Sequence, residues 1–396
     1  MPPKPSPAVP TVKISCRGAE RLKSGHVWVY RSDVISADRV APGGVVGVKD
    51  ERGRFLGTAL YSTASQIALR MISTEAISDL SALIRQRIEN ALAYREQVVR
   101  DSDAYRVIFS EGDFLPGLIV DRYNDALSLQ VLTQAMDTEP VRRTVLTELN
   151  ARLKPDSIAE RTDPKIRELE HLPPRASGLL QGQKGSTIFA MNGVKFHYDA
   201  LTGQKTGAFL DQRENYAAAA QYARGEALDV FCYHGGFALH MAEKCSKVTG
   251  VDSSRPALEV AERNAALNGR EIEWIEANAF DLLRDYAAAG NRYDTIVLDP
   301  PAFAKSKKNL DTALRGYKEL NLRALKMLRP GGTLVTCSCS YHVSVGQFLE
   351  VVADSARDVH RNLRLLENRS QAKDHPILLT VPETAYLKCL IVSVSY

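Results

Sequence analysis

The chain has 396 residues, 44% of them hydrophobic and 25% charged, with a net charge of +4. This is the composition of a soluble globular protein of roughly two or three domains. No run of about 18 apolar residues occurs, so no membrane partner is expected. Six scattered cysteines with no Cys-x-x-Cys pair argue against a zinc site or disulfide framework and for a reducing cytoplasm.

Residues 1–10 open on Met1-Pro2-Pro3-Lys4-Pro5-Ser6-Pro7, with no apolar signal core, and are expected to form a disordered tail. Residues 11–74 hold short β-rich runs at 12–14, 45–48, 55–61 and 67–72, broken by Gly43-Gly44 and by 50–53, with a short helix over 19–23. They predict a small barrel or sheet. Residues 1–74 carry eleven basic side chains against five acidic ones, an excess larger than the net charge of the whole chain. A basic domain on a near-neutral body suits a polyanionic partner, with a solvated charged face as the alternative. Gly25-His26-Val27-Trp28-Val29-Tyr30-Arg31 mixes aromatic and basic groups. Trp28 and Tyr30 either stack on bases or, as alternate residues of one strand, face the core; core positions are expected.

Residues 75–185 predict an α+β module. The apolar spacing of Leu80, Leu83, Ile84, Ile88, Ala91 and Leu92 gives a helix over 76–100. A hairpin turning at Tyr123-Asn124-Asp125, a helix over 137–153 and a strand over 157–160 follow. Ser110-Glu111-Gly112-Asp113 suits a turn, and no catalytic cluster stands out. The stretch 178–185 is expected to be a loop. Residues 186–396 start with a hairpin at Asn192-Gly193. Strands at 227–231, 247–251, 272–276, 293–298 and 333–338 then alternate with helices at 213–224, 236–244, 255–267, 279–288 and 311–328. This order implies a doubly wound parallel sheet, to whose edge 363–366 and 387–394 add antiparallel strands.

The chemistry gathers at the strand ends. Pro300 and Pro301 stop the strand before them, because neither can donate to a ladder. Asp299 is left at the carboxyl edge, where open α/β sheets bind ligands. An Asp-Pro-Pro-aromatic stop there points to a nucleic-acid methyltransferase; a plain capping turn is the alternative. Asp229-Val230-Phe231-Cys232-Tyr233-His234-Gly235-Gly236 lacks the third small residue of the pyrophosphate-binding G-x-G-x-x-G. A glycine pair that lets backbone approach a ligand suits a cofactor without phosphate, such as S-adenosylmethionine (SAM). Asp252, 23 residues beyond Asp229, suits a ribose-binding carboxylate, while the cap of the next helix falls to Ser253 or Ser254. Asn278 and Ala279, after the third strand, are placed to meet an adenine ring. Pro330-Gly331-Gly332 is expected to end the preceding helix. Cys339 would lie on the same strand face as Cys337, nearest the carboxyl edge. A buried cysteine is inert by default. Beside a methyl donor, a thiolate suits pyrimidine carbon-5 methylation, since its attack at carbon 6 makes carbon 5 nucleophilic. Lys305-Ser306-Lys307-Lys308 is either a phosphate clamp or a solvated loop.

Together these motifs resemble the ribosomal large-subunit methyltransferase I family of cytosine-carbon-5 rRNA methyltransferases, over nearly the whole chain. Gly25-His26-Val27-Trp28-Val29-Tyr30 resembles the start of that family's RNA-binding PUA domain. Lys205-Thr206-Gly207-Ala208-Phe209-Leu210-Asp211-Gln212-Arg213 resembles its signature ahead of the Rossmann-like domain, and Ser338-Cys339-Ser340 its nucleophile motif. The resemblance implies an α/β protein: a C-terminal class I SAM methyltransferase domain, preceded by a small β-barrel PUA domain and the central α+β module. SAM would be held by Gln212, Arg213, Asp229, Phe231, Gly235, Asp252, Ser253, Asn278, Ala279 and Asp299. Cys339 would be the nucleophile and Asp299 its catalytic partner, on large-subunit (23S) rRNA, in the cytoplasm; a homodimer is compatible with this. Two departures stand out. Cys232-Tyr233-His234 replaces the family's more usual Ser-Tyr-Thr, and Ala302 stands where related cytosine methyltransferases carry a second cysteine, which implies a one-cysteine mechanism. A guanine-N rRNA methyltransferase on the same fold, or a non-catalytic RNA-binding ribosome-assembly factor, are the alternatives.

Overall fold

The computed structural model describes residues 9–200, 207–304 and 307–395. Most of the expected tail (residues 1–8), Lys205-Thr206 and Lys305-Ser306 lie outside the described residues.

The N-terminal part forms a six-stranded sheet in the order Trp28–Tyr30, Ile67–Ser73, Phe55–Tyr61, Val45–Lys49, Thr11–Ile14, Val34–Ala37. Its core is Val12, Ile14, Val29, Val46, Val48, Ala59 and Leu69. Helix Cys16–Lys23 lies beside it, capped by the Ser15 hydroxyl accepting from the Gly18 N–H. The expected core positions of Trp28 and Tyr30 are corrected. Both are half-buried, and Val29 between them is the core residue. A three-residue strand has one central residue to give to one face, so the aromatic pair takes the other. The Trp28 indole N–H donates to Glu111 Oε1 of the next module at 2.9 Å.

The central part is a five-stranded sheet, ordered Gly178–Gln181, Ser157–Glu160, Ala126–Val131, Leu118–Tyr123, Ala104–Phe109. Helices Leu80–Val98 and Glu139–Leu153 share its core. Two expectations change. Part of the supposed 178–185 loop is an edge strand paired with Ser157–Glu160, and Ser110–Asp113 is a short 3-10 helix. The hairpin of Ser186–Met191 and Val194–Asp199 turns at Asn192-Gly193, both at positive φ (51° and 82°), as a type I′ turn requires.

The C-terminal part carries the doubly wound sheet. We label its strands β1 (Gly225–Val230), β2 (Cys245–Asp252), β3 (Glu273–Glu276), β4 (Tyr293–Leu298), β5 (Leu328–Ser338), β6 (Leu363–Arg369) and β7 (Lys388–Val394). Its helices are α1 (Arg213–Tyr222), α2 (Gly236–Met241), α3 (Arg255–Leu267), α4 (Ala279–Ala289), α5 (Leu310–Met327) and α6 (Val345–Asp358). The order is β3-β2-β1-β4-β5-β7-β6, with the first five parallel and β7 antiparallel to both β5 and β6. Period-two alternation divides each central strand between two apolar layers. Ile296, Leu298 and Leu334 pack with α4, α5 and α6, whereas Val297, Val335 and Cys337 pack with α1, α2 and the Tyr123–Phe189 side of the central part.

Pro330-Gly331-Gly332 lies inside β5 rather than before it. The strand starts at Leu328, opposite Tyr293, and shifts register so that Thr333 meets Thr295; a bulge absorbs the residues that a regular ladder cannot use. Helix α6 was absent from the expected elements. Its start carries a capping box, in which Ser344 Oγ accepts from the Gln347 N–H and the Gln347 side chain accepts from the Ser344 N–H.

The segment between β6 and β7 joins the central and C-terminal parts. Asp374, fully buried, accepts from the Arg106 N–H at 2.8 Å and from Arg213 Nη2 at 3.1 Å. Burial alone would raise the Asp374 carboxyl; the charges and bonds of His375, Arg213 and the Arg106 amide outweigh it and hold the group well below the usual carboxylate range. Its stabilisation is therefore present above the unfolded carboxyl value of ~3.9 and is lost as pH falls toward the lower folded value. Asp374→Ala leaves the buried Arg213 charge only the longer ion pair with Glu214, at 3.7 Å, and urea denaturation at neutral pH should show a loss of about 3 kcal/mol; a loss within the error of an exposed substitution would contradict this anchoring role.

Candidate active site

The loop leaving β1 is tightly wound. Phe231 (φ 67°), Tyr233 (φ 49°) and Gly235 (φ 83°) all lie in the left-handed region, where non-glycine residues are held only by their surroundings. The Phe231 and Cys232 amides both donate to the Val251 carbonyl, and the Tyr233 amide donates to Asp252 Oδ2 at 2.9 Å. A Cβ on Gly236 would come within 2.4 Å of the Tyr216 ring. Packing on Tyr216 is thus sufficient reason for that glycine, beside the ligand approach inferred from the sequence. Asp229, at the end of β1, is fully buried. Its Oδ2 accepts from the Ala238 N–H of α2 at 2.9 Å, and its Oδ1 has no hydrogen-bond partner among the described residues. Burial first, and then the charges of Asp299 and Asp252, push this carboxyl up to about 8.

Asp252 ends β2. One of its oxygens takes the Tyr233 amide and the other takes the Ser254 amide, each at 2.9 Å. Ser254 caps α3, and Ser253 is exposed beside it. Asn278 caps α4, its Oδ1 accepting from the Phe280 N–H at 2.9 Å; Ala279 behind it is buried. The exposed Phe280 ring lies 6.0 Å from Phe303.

Gln212 is buried, accepts from Asn215 at 2.7 Å and touches the Cys337 thiol. Arg213 is buried too, but its guanidinium is bonded to Asp374 and the Arg100 carbonyl. No hydrogen bond or ion pair described for it reaches Asp229, Asp252 or Asp299.

β4 and β5 complete the edge. The Asp299 amide continues the parallel ladder by donating to the Val230 carbonyl at 3.2 Å. Cys339, one residue beyond β5, donates its S–H to the Pro300 carbonyl at 3.8 Å. Asp299 and Cys339 therefore flank one proline. Ser340 Oγ accepts from the Ala304 amide at 3.1 Å and bonds the Tyr317 hydroxyl at 2.9 Å, tying the Asp-Pro-Pro loop to the end of β5. Lys388, buried at the start of β7, donates to the Ser340 carbonyl at 2.6 Å and the Tyr386 carbonyl at 2.8 Å.

Asp229, Asp252 and Asp299 thus meet where β1, β2 and β4 end, and one buried carboxylate oxygen has no partner among the described residues. That donor set fits a ligand carrying an ammonium, a sulfonium and a sugar diol, and does not suit a pyrophosphate. The family model for S-adenosylmethionine-dependent methyltransferases matches residues 129–392, and that for a PUA-like domain matches residues 12–74. A Shewanella denitrificans protein, "Ribosomal RNA large subunit methyltransferase I", is 39% identical over 390 residues, covering 95% of this chain and 98% of its own. A Tolumonas auensis protein of the same name is 39% identical over 396 residues, covering 96% and 98%. The structure of SMU.776 complexed with SAH shares the fold at a TM-score of 0.83, with 19% identity over 97% of this chain and 100% of that one.

The chain belongs to the ribosomal RNA large subunit methyltransferase I family. It is a SAM-dependent methyltransferase. Within this member, His234 has a packing role. It stacks on Tyr233 at 3.6 Å between centroids, and burial, with the Arg263 charge, pushes it down to about 3, so it is neutral at physiological pH. Three contributors were not singled out from the sequence: Lys388, Tyr317 and Phe280. A lone lysine opening an apolar run looks like a solvated strand end, and nothing local marks it as buried.

With Asp229 near 8, its carboxyl is largely protonated at pH 7. A cationic cofactor favours the carboxylate. SAM binding at pH 7 should therefore release up to about one proton per site, and less as pH rises above that value. Calorimetry in buffers of different ionisation enthalpy measures the release, and Asp229→Asn should remove it.

Proposed function

We propose that this protein forms 5-methylcytosine in the RNA of the large ribosomal subunit, in the cytoplasm, through a transient bond between Cys339 and the base. The observation that carries the reading is the Cys339 thiol against the Pro300 carbonyl, one residue from Asp299, at the strand edge where Asp229, Asp252 and Asp299 converge. The names of its relatives and the basic, PUA-like N-terminal part support RNA of the large subunit as substrate.

When bound, SAM supplies an electrophilic methyl group. Asp252 is suited to accept from the ribose hydroxyls and the free oxygen of Asp229 to meet the ammonium, with Asn278 and Ala279 toward the adenine. Asp299 holds the polar edge of the cytosine and assists protonation at ring nitrogen 3. The Cys339 thiolate forms a bond to carbon 6, and the pair of the carbon 5–carbon 6 double bond moves to carbon 5, which would use it to bond the methyl while the sulfonium–methyl bond breaks and its pair stays on the departing neutral thioether. Loss of the carbon-5 proton to a base returns the C–H pair to the ring and expels the thiolate. Ala302 leaves the loop with no thiol of its own, so Cys339 departs by this elimination alone.

Mass spectrometry of large-subunit rRNA from a deletion strain should show loss of one 5-methylcytosine; an unchanged content refutes the reading. Cys339→Ala should lower turnover by on the order of 10³ or more, as loss of a nucleophile does, with SAM affinity retained. Full activity in that variant would favour a guanine-N methyltransferase. Asp252→Ala should weaken SAM binding about 10–100-fold, the worth of hydrogen bonds to a charged acceptor, as read by calorimetry.

A further inference from the structure

A buried ammonium is costly unless something compensates its charge. Lys388 is buried to 5% exposure. Its two bonds go to carbonyls, and among the described residues no carboxylate lies within ion-pair distance of it. Two of its three N–H donors are thereby committed, on either side of a charge that still lacks a counter-ion.

Its place in the fold supplies one. Lys388 pairs with Ser338 across the β5–β7 ladder, so the two side chains share a sheet face. The ammonium then reaches forward to the Ser340 carbonyl. Lys388 thus pairs through its backbone with the residue before Cys339, and its ammonium bonds the residue after. The two groups feel each other's charge: burial lowers Lys388 to about 8, and the Cys339 charge acts against that fall.

We propose that Lys388 is a positioning residue for Cys339, its ammonium serving as the counter-charge that raises the ionised fraction of the thiol. The proposal rests on Cys339 being the nucleophile of the function proposed above. Among the described residues, Tyr317, Asp299 and Tyr386 do not supply that charge. The Tyr317 phenol, on α5, is neutral; burial raises it, and the Cys339 charge raises it further. Asp299, across Pro300, brings negative charge to the same edge. The Tyr386 phenol is engaged with Asp211 at 2.6 Å. An ordinary cysteine, with a pKa of ~8.5, is only a few per cent thiolate at neutral pH. An ammonium held against a thiol raises that fraction, and Lys388 stays charged up to about the value at which it titrates itself, about 8.

The test is the pH profile of Cys339 alkylation by iodoacetamide in the full-length protein without RNA, read by peptide mass spectrometry. In the parent, the midpoint should fall below the ordinary ~8.5. In Lys388→Gln, which keeps an N–H donor for the Ser340 carbonyl but no charge, it should rise by about one pH unit or more, roughly tenfold in thiolate fraction at pH 7. Lys388→Arg, which keeps the charge, should stay close to the parent. Turnover of Lys388→Gln should fall by a similar factor, with an alkaline shift of its pH–rate profile and unchanged SAM affinity. A parental midpoint at or above ~8.5, or equal midpoints in parent and Lys388→Gln, overturns the proposal, and the parental profile reports even if a variant fails to fold. Full methylation by Cys339→Ala would refute the nucleophile assignment separately, leaving the alkylation profile to judge the charge pairing.

Discussion

Parallel strands in register end at a common edge, and the chemistry of this protein depends on that constraint. Val230, Leu298 and Thr336 are cross-strand partners in β1, β4 and β5. Whatever follows each of them emerges side by side. The β1 loop with its left-handed residues, Asp299 and the Ser338-Cys339-Ser340 turn are neighbours for this reason. β5 runs two residues beyond Thr336 because β7 supports it on the other side, pairing Ser338 with Lys388. The antiparallel strand inserted between β5 and β6 thus extends the edge by the length needed to bring Cys339 over Pro300.

Charge at that edge is balanced by burial as much as by pairing. Three carboxylates converge, and their repulsion adds to burial in keeping Asp229 protonated near neutrality. A cationic cofactor relieves this arrangement. On the far side of Pro300 the situation is inverted: among the described residues, a buried ammonium hydrogen-bonds to two carbonyls and to no carboxylate. His234 does not enter the balance, because burial keeps it neutral.

The remaining constraint is the placement of the doubly wound sheet relative to the central sheet. The segment between β6 and β7 provides it through Asp374, which bonds Arg106 of the central sheet and Arg213 of α1. Tyr386, nearer β7, bonds Asp211. The same excursion of chain that docks the two parts leads directly into Lys388. On the N-terminal side, the Trp28–Glu111 bond does comparable docking work, and this accounts for an aromatic residue half-buried outside the local core.

Most of the element order of the C-terminal part and its doubly wound class were legible in the sequence by itself, because continuous apolar runs ending close to Asp229, Asp252 and Asp299 are local signals. The sequence also indicated SAM, through a glycine pair without the third glycine of a phosphate cradle. Elements without such punctuation were harder to see: the edge strand Gly178–Gln181 lies in a glycine-rich stretch, and α6 announces itself only by Ser344 and Gln347. Tertiary structure alone decided what depends on partners distant in sequence. Gly236 has a packing reason in Tyr216. Arg213 is engaged by Asp374, 161 residues away. Lys388 is brought to the turn of Cys339 across 48 residues by an antiparallel strand whose register no local pattern specifies. A side chain's charge state and task follow from which groups surround it, and those surroundings exist only once the sheet has formed.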